Sequence, residues 1–430
     1  MEYIAIMMLV FLVLLVLRVP VAHSIGFASF ALLFYLSKNP TTAVNTMFSS
    51  VNSYSLLAVP LFMLLGSLMN HGGITDRLEE FCHAAIGHVR GGLGYINVLD
   101  SMLFAGLSGS ATADVAGLGA IMIPTMKKSG YDDGYTVAIT CCTACLGVII
   151  PPSTLMVVYS AAAGLSVGAL FAAGVIPGLV IGIAQMIYTY FRAKKYNYPV
   201  SPASSFKQFI HASIKAVPVL VIPLIIMGGT TTGLFTATES AAVACVFALF
   251  LCFFVLRSFN LKDLPMLLAK TAEDVSLSML AVGTGGIMGW LIAYLGASDA
   301  IVAAILGVSS SPIWIFACLT VFLLVIGTFM SPMTAILVFM PIFQGLSAAA
   351  GINAVHMAIV VILLLSLGMV TPPYGSCLLL ASRIANVKLG VGCKAVLPII
   401  AVTVMAIWVG ILFPDLFLLL PKLLMPTSFS

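Results

Sequence analysis

Charge is what this sequence has least of: Asp, Glu, Lys and Arg make up 7% of its 430 residues, against roughly 25% in soluble domains. So few charges cannot clothe a water-exposed surface or build a basic patch for nucleic acid, and both classes are excluded. A cleavable leader is missing as well. MEYIAIMMLVFLVLLVL, residues 1 to 17, has no basic start and no small-residue cleavage site, so it is expected to stay as a first span. The nine cysteines mostly stand singly in apolar segments. Around Cys141, Cys142 and Cys145 no His or acid pattern completes a metal site, and packing is their expected role.

Apolar length is abundant instead, with 61% of residues hydrophobic. Runs of about 20 residues, enough to cross a bilayer core of about 30 Å, recur at 3–17, 20–36, 54–69, 136–160, 170–191, 216–235, 238–256, 276–296, 312–346, 355–381 and 395–413. An all-α polytopic protein of the lipid bilayer follows, with almost no mass outside it. The loop 192–215 carries Arg192, Lys194, Lys195, Lys207 and Lys215 and no acid, which places it in the cytoplasm. Propagated from there, sixteen of the eighteen basic residues face the cytoplasm, with Lys38 and Lys422 outside. Both termini then come out periplasmic.

The chain also repeats itself. LLAVPLFMLLGSLMNHGGITD (56–76) aligns with MLAVGTGGIMGWLIAYLGASD (279–299), and GVIIPP (147–152) with GMVTPP (368–373). The assigned topology puts 71–92 inside and its counterpart 297–311 outside, so the halves 1–215 and 216–430 run in opposite senses. Inverted repeats of this kind place substrate and ion sites near the midplane, at broken helices. The expected parts of the first half are an amphipathic arm at 74–92 lying at the interface, a re-entrant hairpin at 93–130 and a broken helix at 131–160. Those of the second half are an arm at 257–275, a hairpin at 312–346 with its tip near Gly327 to Thr334, and a broken helix at 355–382. The two tips are expected to meet near mid-membrane.

Irregular backbone at that depth must line a cavity or be covered by protein. Gly106, Gly109 and the serines beside them supply it, and each Pro-Pro pair frees carbonyls in the preceding turn, around Gly147 to Ile150 and Gly368 to Thr371. A tip and a broken helix together offer a hard cation carbonyls, hydroxyls and, in the first half, the carboxylate of Asp114. A charge at that depth costs about 2.5 to 3.5 kcal/mol on insertion scales and marks a pathway or a pair. No basic residue lies near Asp114 in sequence, which leaves cation ligation or a distant partner such as Arg383. Glu239, read as the other intramembrane acid, has the spacing of a helix cap with Thr236. The second tip has no acid, and its Gly327-to-Pro341 spacing is four residues shorter than Gly106 to Pro124.

LLAVPLFMLLGSLMNHGGITDRL, FAGLSGSATADVAGLGAIMIPTMKKSGYD and GVIIPPSTLMVVYS in the first half, with GLFTATESAAVA, GTFMSPMTAILVFMPIF and GMVTPPYG in the second, resemble the large membrane subunit of tripartite ATP-independent periplasmic (TRAP) transporters. The resemblance covers nearly the whole chain. It implies a Na⁺-driven importer of organic acids such as sialic acid or C4-dicarboxylates. It also implies a periplasmic binding protein that delivers the substrate, a small four-helix membrane subunit, and elevator motion of the hairpins against a scaffold in a bacterial inner membrane. Carried onto this chain, one sodium site takes Ser108, Gly109, Ser110 and Asp114 with the backbone of Gly147 to Ile150. The other takes Gly327, Thr328 and Met330 with Gly368, Val370 and Thr371. Between the tips, Ser110, Thr112, Ser153, Thr154, Thr334, Tyr374 and Ser376 are the hydroxyls available to an organic acid, and Arg383 is the nearest cation.

A stand-alone Na⁺/carboxylate symporter of similar architecture is the competing reading. A channel needs a continuous polar pore rather than polar groups gathered at two tips. An intramembrane enzyme needs a nucleophile and base or a second catalytic acid, which Asp114 lacks at helical spacing. The topology is open to a direct check. A cysteine placed at Ser205 is expected to react with a membrane-impermeant thiol reagent from the cytoplasmic side alone, and reaction from outside would reverse every assignment above.

Overall fold

The computed structural model describes residues 2–200, 202 and 204–426, and among them it is all-helical with no strand. The chain starts with α1 (Glu2–Val16), α2 (Val21–Tyr35), α3 (Pro40–Val51), α4 (Ala58–His71) and the short α5 (Ile74–Ile86). A helix-turn-helix, α6 (Gly92–Ser108) and α7 (Ala111–Lys128), leads into α8 (Asp133–Ala144). The last turn of α8 tightens into a 3₁₀ segment, Cys145–Val148, ahead of Pro151 and Pro152, and α9 (Thr154–Ala163) and α10 (Val167–Tyr196) follow. Then come α11 (Phe206–Thr231), α12 (Ala237–Phe250), α13 (Leu264–Tyr294) and α14 (Ala297–Val308). A second helix-turn-helix, α15 (Pro312–Phe329) and α16 (Pro332–Ala349), precedes α17 (Ala354–Gly368) and a break at Pro372 and Pro373. The chain closes with α18 (Ser376–Ala385), α19 (Leu389–Leu412) and α20 (Pro414–Leu424). Seven of these helices are long and apolar enough to cross a membrane, or eight if α3 and α4, bent by 64° at Asn52 to Tyr54, count as one span.

Local chemistry sets many of the boundaries. Asp132 caps α8 by accepting from the Tyr135 amide at 2.8 Å, Ser153 caps α9 and Asn353 caps α17. Side-chain oxygens there satisfy amides that have no partner inside the helix. Glu239 is the reciprocal cap of α12, accepting from the Thr236 amide at 2.8 Å while its own amide donates to Thr236 Oγ1 at 3.2 Å. It is exposed, and the capping role read from its spacing is the one it has.

The element order recurs. α5, α7, α8, α9 and α10 begin at 74, 111, 133, 154 and 167, and α14, α16, α17, α18 and α19 at 297, 332, 354, 376 and 389, a spacing of 221 to 223 throughout. α8 and α17 are the central pair. Every residue from Gly134 to Ala144 and from Val355 to Gly368 is buried, which fits sequences apolar on all faces. The helices after the two breaks then cross over: α9 packs on α16 and α17, while α18 packs on α7 and α8. Each half therefore supports the helix-turn-helix of the other.

Three expectations need correction. The arm expected at 257–275 is not a separate element, because from Leu264 onward its residues form the first turns of the 31-residue α13. Pro265 sits where a helix tolerates proline, and none follows before Tyr294, so nothing stops the helix. The element at the position matching α5 is α14. α3 and α20 lie outside the runs expected to span; α3 is polar, but Asn39 caps it and Pro40 starts it. Nor is the second helix-turn-helix shorter. α7 and α16 both have 18 residues, and the smaller Gly-to-Pro spacing arises because Pro341 lies nearer the start of its helix than Pro124 does.

At the basic end of α10 a clamp holds it to α8. Asp132 accepts from Arg192 Nη2 at 3.2 Å and from the Tyr198 hydroxyl, and Tyr131, Tyr135 and Tyr198 pack around them. Partial burial pushes the Asp132 carboxyl up, but hydrogen bonds from Tyr198 and the Tyr135 amide and the Arg192 charge outweigh it and hold it below its ordinary value. Stability from a carboxyl lowered in this way is present above its unfolded pKa and is lost as pH falls through the folded one. Asp132→Asn is therefore expected to melt below the wild type at neutral pH, with the gap closing below roughly pH 4 in thermal unfolding of the detergent-solubilised protein. A gap independent of pH would remove the charge from this account.

Candidate functional site

The first helix-turn-helix reverses in two residues. Gly109 takes the left-handed conformation, φ 60°, that a side chain would strain, and Ser110 precedes the first turn of α7. A hydroxyl tethers this tip to the broken helix. Thr154 Oγ1 donates to the Gly109 carbonyl at 2.9 Å, while Ser153 Oγ donates to the Val148 carbonyl at 2.6 Å across the Pro-Pro break. The tip is thus anchored to the start of α9, and the residue before it is anchored in turn to the 3₁₀ segment.

Asp114 lies one turn into α7, near a helix N-terminus whose free amides favour negative charge. It is fully buried. Ser108 Oγ donates to Asp114 Oδ1 and in turn accepts from the Ser110 amide at 3.3 Å. Asp114 Oδ2 has no hydrogen-bond partner among the described residues, and it lies against the backbone of Gly147, where a methyl group would overlap it. A buried, unpartnered carboxylate oxygen beside an interrupted helix suits a cation: the donor set is oxygen, and no basic side chain neutralises it. Ser108, Gly109, Ser110, Asp114 and Gly147 are brought together, and they fit a hard cation such as Na⁺. Ile150, half-buried, lies two residues beyond the 3₁₀ segment.

The second assembly is built from backbone. Gly327 and Gly368 lie in direct contact, and a Cβ on either would come within 2.8 or 2.6 Å of the other's Cα. Two polypeptide backbones approach this closely because neither residue carries a side chain. Thr328 Oγ1 donates to the Val325 carbonyl at 2.8 Å and Thr371 Oγ1 to the Leu367 carbonyl at 2.9 Å. Met330 and Val370 are buried beside them. No orphaned side-chain oxygen occurs here among the described residues, so this assembly offers neutral oxygens alone.

The remaining residues separate into groups. The Ser110 and Thr112 hydroxyls are 3.3 Å apart and half-buried at the first tip. Ser153 and Thr154 are committed to the tethers just described, and buried Thr334 pairs with Ser331 at 2.8 Å. Tyr374 and Ser376 are exposed. Arg383 is not part of the site. It is exposed in the last turn of α18, whose final residue Ala385 accepts from Lys127 at the far end of α7, about 25 Å of helix from Ser110 at 1.5 Å per residue.

Two cavities flank the tips. One of about 470 Å³ separates α7 from α4, α5 and α13 and is lined by Asn70, Thr75, Asp76, Gly117, Lys270 and Asp274. The other, about 300 Å³, lies between α3, α9, α13 and α16 beside Ser50, Trp290 and Gln344. Sequence reading missed one acid altogether. Asp100, in the middle of α6, is fully buried and neither of its oxygens has a partner among the described residues. A lone acid in LGYINVLDSMLFAG was the available signal.

The description "Tripartite ATP-independent periplasmic transporter, DctM component" belongs to a family that matches residues 8–416. Among curated proteins the chain is 34% identical to the sialic acid TRAP transporter large permease protein SiaM of Vibrio cholerae, covering 95% of this chain and 96% of that one. It is 35% identical to the C4-dicarboxylate TRAP transporter large permease protein DctM of Pseudomonas aeruginosa, covering 87% and 88%. It is 31% identical to the 2,3-diketo-L-gulonate TRAP transporter large permease protein YiaN of Escherichia coli, covering 93% and 94%. Among solved structures the YdaH transporter of Alcanivorax borkumensis superposes with a TM-score of 0.62 over 88% of both chains at 12% identity, a likeness of fold alone.

The glycine contact is open to test. Gly368→Ala pushes a methyl group into the Gly327 backbone and is expected to destabilise by about 1–3 kcal/mol, as overpacking does. Thermal unfolding of the purified protein measures this, and a melting temperature unchanged from wild type would show that α15 and α17 separate at no cost.

Proposed function

Since the chain belongs to the DctM-component family of tripartite ATP-independent periplasmic transporters, we propose that it is the large permease of a Na⁺-coupled importer that takes up a small organic acid. A periplasmic binding protein hands the acid over, and a small membrane subunit completes the assembly. The family is one of transport components, and the protein is a multi-pass protein of the inner membrane. Both termini are proposed to be periplasmic, on the placement of the basic residues.

The observation that carries the sodium reading is Asp114 Oδ2, buried, unpartnered and set against the Gly147 backbone. Sodium bound there supplies the positive charge that this carboxylate lacks. Ser108 holds the other oxygen in place, and Thr154 holds the Gly109 carbonyl. Ion binding thereby orders the turn that carries the half-buried Ser110 and Thr112 hydroxyls. An organic acid reaching those hydroxyls meets an ordered tip when the cation is present, which links the two bindings. The Gly327–Gly368 contact is proposed as the second sodium locus, where carbonyls and the Thr328 and Thr371 hydroxyls provide the oxygens.

The crossed helices support movement as one body. α9 and α18 tie each helix-turn-helix to the opposite half, whereas the two cavities lie along the faces turned toward α3, α4, α5 and α13. We assign the tips, α8, α9, α17 and α18 to a transport unit, related internally by an inverted repeat, that moves elevator-fashion against those outer helices. The relatives act on sialic acid, C4-dicarboxylates and 2,3-diketo-L-gulonate by name. Their shared chemistry, a carboxylate on a small polar body, defines the substrate class proposed here.

Two measurements decide the reading. Asp114→Asn, reconstituted with the partner subunits, is expected to raise the Na⁺ concentration for half-maximal uptake by about tenfold or more, as loss of a charged ligand worth 1.5–3 kcal/mol implies. Unchanged sodium activation would remove Asp114 from the ion site. Uptake by wild-type protein is expected to need the binding protein and the small subunit, and full activity of this chain alone in liposomes would favour the stand-alone symporter.

A further inference from the structure

Asp100 stands apart from the proposed sodium site. It lies eight residues before Ser108 on α6, about 12 Å along the helix axis, and it touches none of the tip residues through a hydrogen bond. Its side chain is fully enclosed. Glu79 and Cys82 of α5 and Asp114 of α7 are its titratable neighbours. Tyr135 and Cys142 of α8, Tyr188 of α10 and Lys215 of α11 are on elements that also pack against α6. Lys215 is engaged with Glu80 at 3.1 Å on the outer face of α5. Asp100 is therefore an acid among acids, with no hydrogen-bond partner among the described residues.

Such a carboxyl needs a positive partner, and the surroundings decide which. A metal ion requires several oxygen ligands, and Asp100 sits inside the unbroken α6, whose carbonyls are engaged in the helix, whereas Asp114 faces an interrupted helix with free backbone oxygens. A proton needs a single oxygen. A route is available: Glu79 lies on α5, which packs against α6, and it lines a cavity of about 390 Å³ beside Glu80, His83, Ser204 and Gln208. We propose that Asp100 is a proton-binding site in the α5–α6 interface, loaded from water in this cavity by way of Glu79. The proton is held while the arm α5 lies closed on α6, and its release leaves a charge that the closed interface cannot solvate. Arm position and proton occupancy are thereby linked. On the proposed topology, the cavity faces the cytoplasm, so the site registers cytoplasmic pH.

Infrared spectroscopy of the full-length protein reconstituted with its partner subunits tests this directly. At neutral pH the wild type is expected to show a protonated-carboxyl C=O stretch, shifted by deuterium, that is lost in Asp100→Asn and kept in Asp114→Asn. Absence of the band, its persistence in Asp100→Asn, or its displacement by Na⁺ would overturn the assignment, the last by making Asp100 a sodium ligand. Should Asp100→Asn fail to fold, Glu79→Gln at the cavity serves instead. It is expected to keep the band and slow its hydrogen–deuterium exchange several-fold, and exchange at the wild-type rate would overturn the route. The band is read without transport, so a chain that moved no organic acid would sink the proposed function and leave this result intact.

Discussion

A helix interrupted inside a membrane must find its missing hydrogen bonds within the protein, because lipid supplies none. The architecture follows from that demand. Pro151–Pro152 and Pro372–Pro373 stop α8 and α17 in the middle of the structure, and the chain answers by burying both helices on every face. It then brings a helix-turn-helix against each break. Ser153 and Thr154 close the first break with side-chain hydrogen bonds. The second is covered by the direct approach of Gly327 and Gly368.

The same demand explains the crossed packing. A short helix that resumes after a break has too little length to cross a bilayer alone: α9 and α18 have ten residues each, about 15 Å. Each is stabilised by resting on the opposite half, α9 on α16 and α18 on α7. The breaks, the tips and these short helices thus share one packed body, and a displacement of any of them carries the others. One packed body is what the proposed elevator motion requires, and in that proposal the cavities along α13 and α4 lie between the body and its frame.

Charge is scarce, so each buried acid carries information. Asp114 is half-satisfied, with Ser108 on one oxygen and, among the described residues, no partner on the other. Asp100 has no partner on either oxygen among those residues. Glu239, equally remote from basic residues in sequence, is a solvent-exposed cap. Three acids in apolar surroundings thus have three fates: one is proposed to wait for a metal ion, one for a proton, and one serves backbone amides. Spacing in the sequence distinguishes the cap, because a capping box is a local motif. It does not separate the other two, since what surrounds them comes from α5, α8 and the 3₁₀ segment.

Sequence alone was enough for the membrane class, the family, the two helix-turn-helix segments, the Pro-Pro breaks and the acid at the first tip, because all of these are written in local composition or motifs that recur along the chain. Asn39 and Pro40 also announce α3 to a reader who weighs caps above hydropathy. The fusion of 264–275 into α13 was less legible, since it depends on the absence of a stop rather than on a signal. Tertiary structure decided what faces what. It removed Arg383 from the site by running α18 toward Lys127, committed Ser153 and Thr154 to tethering, and enclosed Asp100 beneath Glu79. Such relations depend on segments that meet across the chain, as Thr154 meets Gly109 and Lys127 meets Ala385, and no periodicity within one segment encodes them.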